Sequence, residues 1–217
     1  MGFLELYGFL EKLQQNNSKE WMDIHRKEYK SIRTFFVSWL DELNVKLAQV
    51  DPYYFNTPGK KGINRINNNL MFYPNKPVYK NHFAAGLDQL TKQGDFYIEI
   101  GLTQNLLAGG YWRPEKNILK SIREAIDYNG EELLAILEKP SFKKIFKVLY
   151  QDNPLKNAPK GYAKDHPYIE LLRHKTFGVE IAFTRDKVLD PYFQEYCIEV
   201  YLELLPFRRY LREAVSV

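Results

Sequence analysis

Residues 95–126 read DFYIEIGLTQNLLAGGYWRPEKNILKSIREAI, and their periodicity decides the fold class. Phe96, Ile98 and Ile100 alternate with Tyr97, Glu99 and Gly101, the period of a strand. Asn105–Trp112 reads as a second strand, with Gly109 and Gly110 at a bend or a close backbone approach, and 103–105 as the hairpin between the two. The period changes after Arg113. Pro114 suits the first turn of a helix and Glu115 its positive end, while Ile118, Leu119, Ile122 and Ile126 fall on one helical face.

Toward the N-terminus, Phe3, Leu6, Phe9, Leu10 and Leu13 mark a short amphipathic helix. Ser18 then caps a helical stretch that runs from about Lys19 to Val50, long enough to be kinked or divided. Residues 52–82 are rich in Asn, Pro, Gly and Lys and read as loop, with short strands expected at 63–66 and 70–73. Residues 82–93 read as a turn or short helix. Beyond Ile126, Asn129-Gly130 is expected to close the helix. Further helices follow at 131–138, around Phe142–Leu149 and at 167–174, then a strand at 175–183. The final helix, 189–213, is expected to bend or split at Pro206. Helices, then strands, then helices and a late strand lack a repeating βαβ rhythm. The expectation is a single α+β domain over 1–217, with a mainly antiparallel central sheet packed against several helices.

The chain's 217 residues are 45% apolar and 15% aromatic, enough to build a substantial core and too apolar for a disordered tail. No run of 18 apolar residues occurs, so neither a membrane span nor a membrane partner is expected. The N-terminal segment is interrupted by Glu5 and Glu11 and lacks a basic leader, so a signal peptide is not expected. The lone Cys197 excludes an internal disulfide and is compatible with a reducing cytoplasm, the expected location. The net charge of +4 is unevenly spread. No acidic residue lies between Asp51 and Asp88, whereas Lys60, Lys61, Arg65, Lys76 and Lys80 all do, and residues 141–187 carry 10 basic against 5 acidic residues.

Several motifs recur in a distinctive order: Phe9-Leu10, Asn16-Asn17, Trp21, Tyr29, Arg65-Ile66, Phe72, Lys76, Tyr79-Lys80 and Gly109-Gly110-Tyr111. Pro114, Arg123, Pro159-Lys160-Gly161-Tyr162, His166-Pro167 and Lys175 follow. In this order the chain resembles the DUF2461 family over about residues 3–213. The resemblance implies a compact α+β domain, and no particular reaction, substrate or cofactor. The chain departs from the family in one segment. Members read like R-I-x-R-D-x-R-F-S-x-D-K-T-P-Y-K where residues 65–80 read RINNNLMFYPNKPVYK. Asn68, Asn69, Met71, Tyr73 and Asn75 replace charged or small polar residues there, while Arg65, Phe72, Lys76, Tyr79 and Lys80 are kept.

These readings converge on a small anionic or phosphorylated ligand held in a basic cleft. The expected binding residues are Arg65, Lys76, Tyr79, Lys80, Trp112, Lys160, Gly161 and Lys175. Arg grips two oxygens with its fork, Lys supplies a mobile charge, and Gly161 exposes backbone N–H groups. The alternatives are a hydrolase or transferase using His82 or His166, and a protein–protein interaction module without catalysis. No metal-ligand spacing, phosphate loop or dinucleotide fingerprint occurs, so no metal or cofactor is expected. Nucleic acid is disfavoured by the low net charge and the lack of any complete recognition motif.

Overall fold

The computed structural model describes residues 1–89, 94–146 and 154–215. Its elements run α1 (Phe3–Gln15), α2 (Lys19–Ile24), α3 (Arg26–Val50), α4 (Gly59–Gly62), β1 (His82–Leu87), β2 (Phe96–Gly101) and β3 (Asn105–Tyr111). There follow α5 (Lys116–Glu138), α6 (Pro140–Ile145), α7 (Ile169–Leu172), β4 (Phe177–Phe183), α8 (Arg185–Leu189) and α9 (Phe193–Val215). The strands hydrogen-bond in the order β1-β2-β3-β4. This is an α+β fold with a mainly antiparallel sheet and several helices. No described helix is long and apolar enough to cross a membrane.

The chain groups into two compact units. Unit 1 comprises residues 1–89, 97–107 and 182–198; unit 2 comprises 90–96, 108–181 and 199–217. In unit 1, Leu6, Phe9, Leu10 and Leu13 of the stripe expected on α1 are buried while Phe3 is half-buried, and Ile32, Phe36, Leu40, Leu43 and Leu47 are buried on α3. The long second helix is divided at His25. Its ring stacks 3.9 Å from that of Trp21, its backbone N–H donates to Trp21 O at 3.0 Å, and its Nδ1 lies 2.8 Å from the same oxygen. Ser18 caps α2, accepting from Trp21 N–H at 3.2 Å.

In unit 2, Ile122, Ile126 and Leu133 of α5 are buried, as are Phe142, Phe146, Tyr201, Leu204, Phe207 and Leu211. Asn129 adopts non-helical φ −141°, ψ 46°, so α5 is two helical stretches joined across a kink at the break expected at 129–130. By contrast, α9 continues through Pro206. The helix therefore does not split there, and Leu204, Leu205, Phe207 and Leu211 on either side are buried. The helix expected around Phe142 is α6; Leu149, assigned to it from the sequence, lies outside the described residues.

Two local expectations are corrected. Residues 82–87 form strand β1 instead of a turn or helix, and Gln93, included in that reading, lies outside the described residues. Five of the six β1 residues are buried, so HFAAGL carries no polar alternation to announce a strand. Residues 63–66 and 70–73 are not strands. Single antiparallel bridges join Ile63 to Ala85 and Asn67 to Tyr79, and 70–73 lie on a turn.

Candidate functional site: a basic cavity on helix α5

One face of α5 and one tight turn build a cavity of about 500 Å³ in unit 2. Lys116, Leu119, Lys120, Arg123, Glu124 and Asp127 recur at intervals of three and four, so the helix presents them together. The opposite wall is Lys160, Gly161 and Tyr162. Tyr162 N–H donates to Pro159 O at 3.2 Å, and Gly161 has φ +97°. A four-residue turn with a positive φ at its third position requires glycine there. The Pro159-Lys160-Gly161-Tyr162 motif is that turn, with Lys160 at its exposed second position.

Charge in the cavity favours anions. Lys116, Lys120, Arg123 and Lys160 face Glu124 and Asp127, four cations against two carboxylates, and both carboxylates are engaged. Glu124 pairs with Lys120 at 3.4 Å, and Asp127 Oδ1 lies 2.9 Å from His166 Nε2. Arg123 differs from every other cation in the cavity. Its Nε donates to Leu172 O at 2.9 Å and its Nη2 to His174 O at 3.1 Å. Two neutral carbonyls fix the plane of the guanidinium without neutralising its charge. Among the described residues Arg123 forms no ion pair. Burial lowers its pKa from the ordinary guanidinium value, the sense expected of a cation short of a counter-ion. Burial, followed by Asp127 and Glu124, raises the Tyr162 phenol, with Arg123 opposing.

The residues expected to bind ligand are distributed over both units. In unit 2, Lys160 and Gly161 line the cavity, whereas Trp112 and Lys175 are not among its lining residues. Trp112 is exposed and stacks with the Arg113 guanidinium, 5.5 Å from its ring. In unit 1, Lys80 Nζ donates to Arg65 O at 2.8 Å, and Lys76 Nζ lies 4.5 Å from the centre of the Tyr73 ring. Tyr79 is buried, and its backbone exchanges two hydrogen bonds with Asn17. Burial, then the neighbouring Arg65 and Lys76, lowers the Lys80 ammonium, with Glu99 opposing.

The two histidines differ. His166 Nδ1 accepts from Tyr168 N–H at 3.0 Å, so Nε2 carries the proton and donates to Asp127. Both nitrogens are engaged, and the ring braces the cavity wall. His82 Nδ1 lies 3.8 Å from Glu99 Oε1, and its Nε2 has no partner among the described residues. Burial lowers its imidazole, with Glu99 opposing. Glu99 accepts from Tyr97 Oη at 2.8 Å and from Gln104 Nε2 at 2.9 Å. Among the described residues no group of three or more His, Cys, Asp or Glu side chains is placed to hold a metal ion.

A family model described as "Conserved hypothetical protein (DUF2461)" matches residues 5–210. The chain belongs to the DUF2461 family. No curated protein and no solved structure matches it. As a DUF2461 member it carries Arg123, Lys160, Gly161, Tyr162 and His166 from the motifs that first suggested the resemblance, and these five gather on or behind one cavity. Sequence reasoning did not name Lys116, Lys120 or Arg123 as binding residues. The available signal was their three- and four-residue spacing on one helix face beside a Pro-x-Gly turn.

Proposed function

We propose that the protein binds a small anionic ligand, phosphorylated or carboxylated, in the cavity between α5 and the 159–162 turn. The observation that supports this most is Arg123, a half-buried guanidinium held by two backbone carbonyls and paired with no carboxylate among the described residues. An anion entering the cavity supplies the missing counter-charge. Lys160 and Lys116 add charge at the rim.

Titration calorimetry with inorganic phosphate and pyrophosphate tests the reading. Each charge-assisted hydrogen bond is worth about 1.5–3 kcal/mol, so Arg123→Gln should weaken binding roughly tenfold to a hundredfold. Arg123 also tethers 172–174, so Lys160→Ala, at an exposed turn position, gives a change that leaves the fold intact. It should weaken binding without shifting the melting temperature. No heat of binding from either anion at millimolar concentration refutes the proposal.

A second reading, a hydrolase or transferase centred on a histidine, is favoured by His82, whose Nε2 has no partner among the described residues and whose Nδ1 faces the buried Glu99 carboxylate. It predicts that His82→Gln abolishes whatever turnover a substrate screen finds, while phosphate affinity is unchanged.

A further inference from the structure

Residues 68–78 of unit 1 form a closed loop with an apolar tip. Asn68 N–H donates to Val78 O at 3.0 Å and Asn68 Nδ2 to Pro77 O at 2.8 Å, closing its neck. Lys80 N–H donates to Ile66 O at 2.8 Å just below. Inside the loop, Tyr73 N–H donates to Asn69 O and Lys76 N–H to Tyr73 O, at 3.0 and 3.1 Å. The neck is fixed in turn by the reciprocal bonds between Asn17 and the Tyr79 backbone, at 3.0 and 2.9 Å. Pro74 and Pro77 restrict what backbone freedom is left. The loop is thus ordered by its own backbone and not by burying its side chains.

Those side chains face solvent. Leu70 is 36% exposed, Met71 81%, Phe72 68% and Tyr73 56%, four large apolar residues in a row. Single exposed apolar residues need no explanation, but a contiguous patch on an ordered loop marks an interaction surface. Its electrostatic setting is one-sided. The acid-free stretch between Asp51 and Asp88 places Lys60, Lys61, Arg65, Lys76 and Lys80 before, within and after the loop. Among the described residues Arg65, Lys76 and Lys80 form no ion pair, and Lys76 sits directly over the Tyr73 ring.

We infer that the 70–73 tip docks into the interfacial layer of an anionic lipid bilayer, with Lys76 and the neighbouring cations on lipid phosphates. A short tip of Leu, Met, Phe and Tyr seats in a yielding lipid surface, whereas a protein partner would have to supply a matched pocket ringed by acid. Tyr73 has the amphipathic ring that settles at the headgroup level, Phe72 supplies an apolar ring beside it, and polybasic flanks add attraction to anionic lipid. One anchor of this size gives weak, reversible and salt-sensitive attachment. The expectation of no membrane partner rested on the lack of a spanning segment, which does not bear on a loop that rests on the surface.

Cosedimentation of the full chain with vesicles tests this, comparing phosphatidylcholine alone with phosphatidylcholine containing phosphatidylserine, at low and high salt. The expected result is binding to the anionic vesicles only, lost at high salt. Combined Met71→Ser and Phe72→Ser should reduce partitioning at least about tenfold, and Lys76→Ala about fivefold. Both variants change exposed residues, so unchanged circular dichroism and melting temperature confirm folding, and unchanged phosphate affinity separates this surface from the α5 cavity. The inference is overturned if anionic vesicles are not bound at low salt, which leaves the tip to a protein partner. It is also overturned if the double serine variant binds as well as the parent, which assigns the attachment to another surface.

Discussion

Substituting Gly130 by Ala opposes two effects of different size. Ala gains up to about 1 kcal/mol over Gly in a helix interior, and less here because Asn129 beside it has left helical geometry. Against this, a Cβ at position 130 would lie 2.5 Å from Cδ2, 2.6 Å from Cγ and 2.9 Å from Cε2 of Tyr168. These atoms belong to the root and body of a ring, not to the free end of a flexible side chain. Relief therefore requires the ring or the helix to shift, at roughly 1–3 kcal/mol, more where packing is tight. The balance is a net loss of about 1–2 kcal/mol. For a chain of this length that lowers the melting temperature by roughly 2–8 °C. Tyr168 N–H also holds His166 Nδ1, and His166 holds Asp127, so the displacement reaches the cavity wall. Differential scanning calorimetry of Gly130→Ala measures the loss. Repeating it in a Tyr168→Ala background isolates the clash, because without the ring the alanine should become neutral or stabilising. A Gly130→Ala protein as stable as the parent, or one that loses the same amount with and without Tyr168, refutes the reasoning.

Other outcomes follow from buried polar groups. Tyr7→Phe should cost about 1 kcal/mol, because Asn105 Oδ1 loses the Tyr7 hydroxyl (2.6 Å) but keeps Gly101 N–H (3.0 Å). Asn105→Ala should cost about 2–5 kcal/mol by stranding both donors, and urea denaturation giving the reverse order contradicts this account. Burial raises Tyr7 and Tyr210 from 10.0 to about 12. The folded protein thus holds protons that the unfolded chain releases, and stability should be intact below about pH 10 and fall as pH rises toward 12. Tyr7→Phe and Tyr210→Phe should each flatten that fall, whereas an alkaline limb identical in both variants and parent assigns it elsewhere. His82 and His174 are lowered by burial from 6.5, so stability should hold above that value and decline as pH drops below it. Denaturation midpoints rising between pH 6.5 and 5 count against it.

Helices α1 and α3 and strand β2 were legible because their apolar residues keep one period, and β3 was read from its place before Arg113-Pro114; the short α4 and α8 were not foreseen. Strand β1 was not legible either, since HFAAGL is buried on nearly every residue and offers no alternation to read. The break at Asn129 was legible from its turn-formers, whereas the continuation of α9 through Pro206 was not. Turn-formers predict where a chain can leave a helix, and the burial of flanking residues such as Leu204 and Phe207 decides whether it does. At the candidate site, the Pro159–Tyr162 turn was readable from its own residues. The role of Arg123 was not, because its partners are carbonyls of Leu172 and His174, some 49 and 51 residues away, and carbonyls belong to every residue type. The coupling of His166 to Asp127 across 39 residues left no sequence trace either. The cations of residues 65–80 announced themselves by composition, while the apolar tip among them showed its exposure only once the loop was folded.

The central claim is that an anion occupies the α5 cavity beside Arg123. Titrating isotope-labelled protein with pyrophosphate, while following backbone amide and arginine Nε–H resonances, tests it at single residues. The account predicts saturable shifts concentrated at Lys160, Gly161, Tyr162 and the Arg123 side chain, with Gly161 N–H among the largest. Shifts absent from these positions, or spread evenly over surface lysines without saturation, would contradict it.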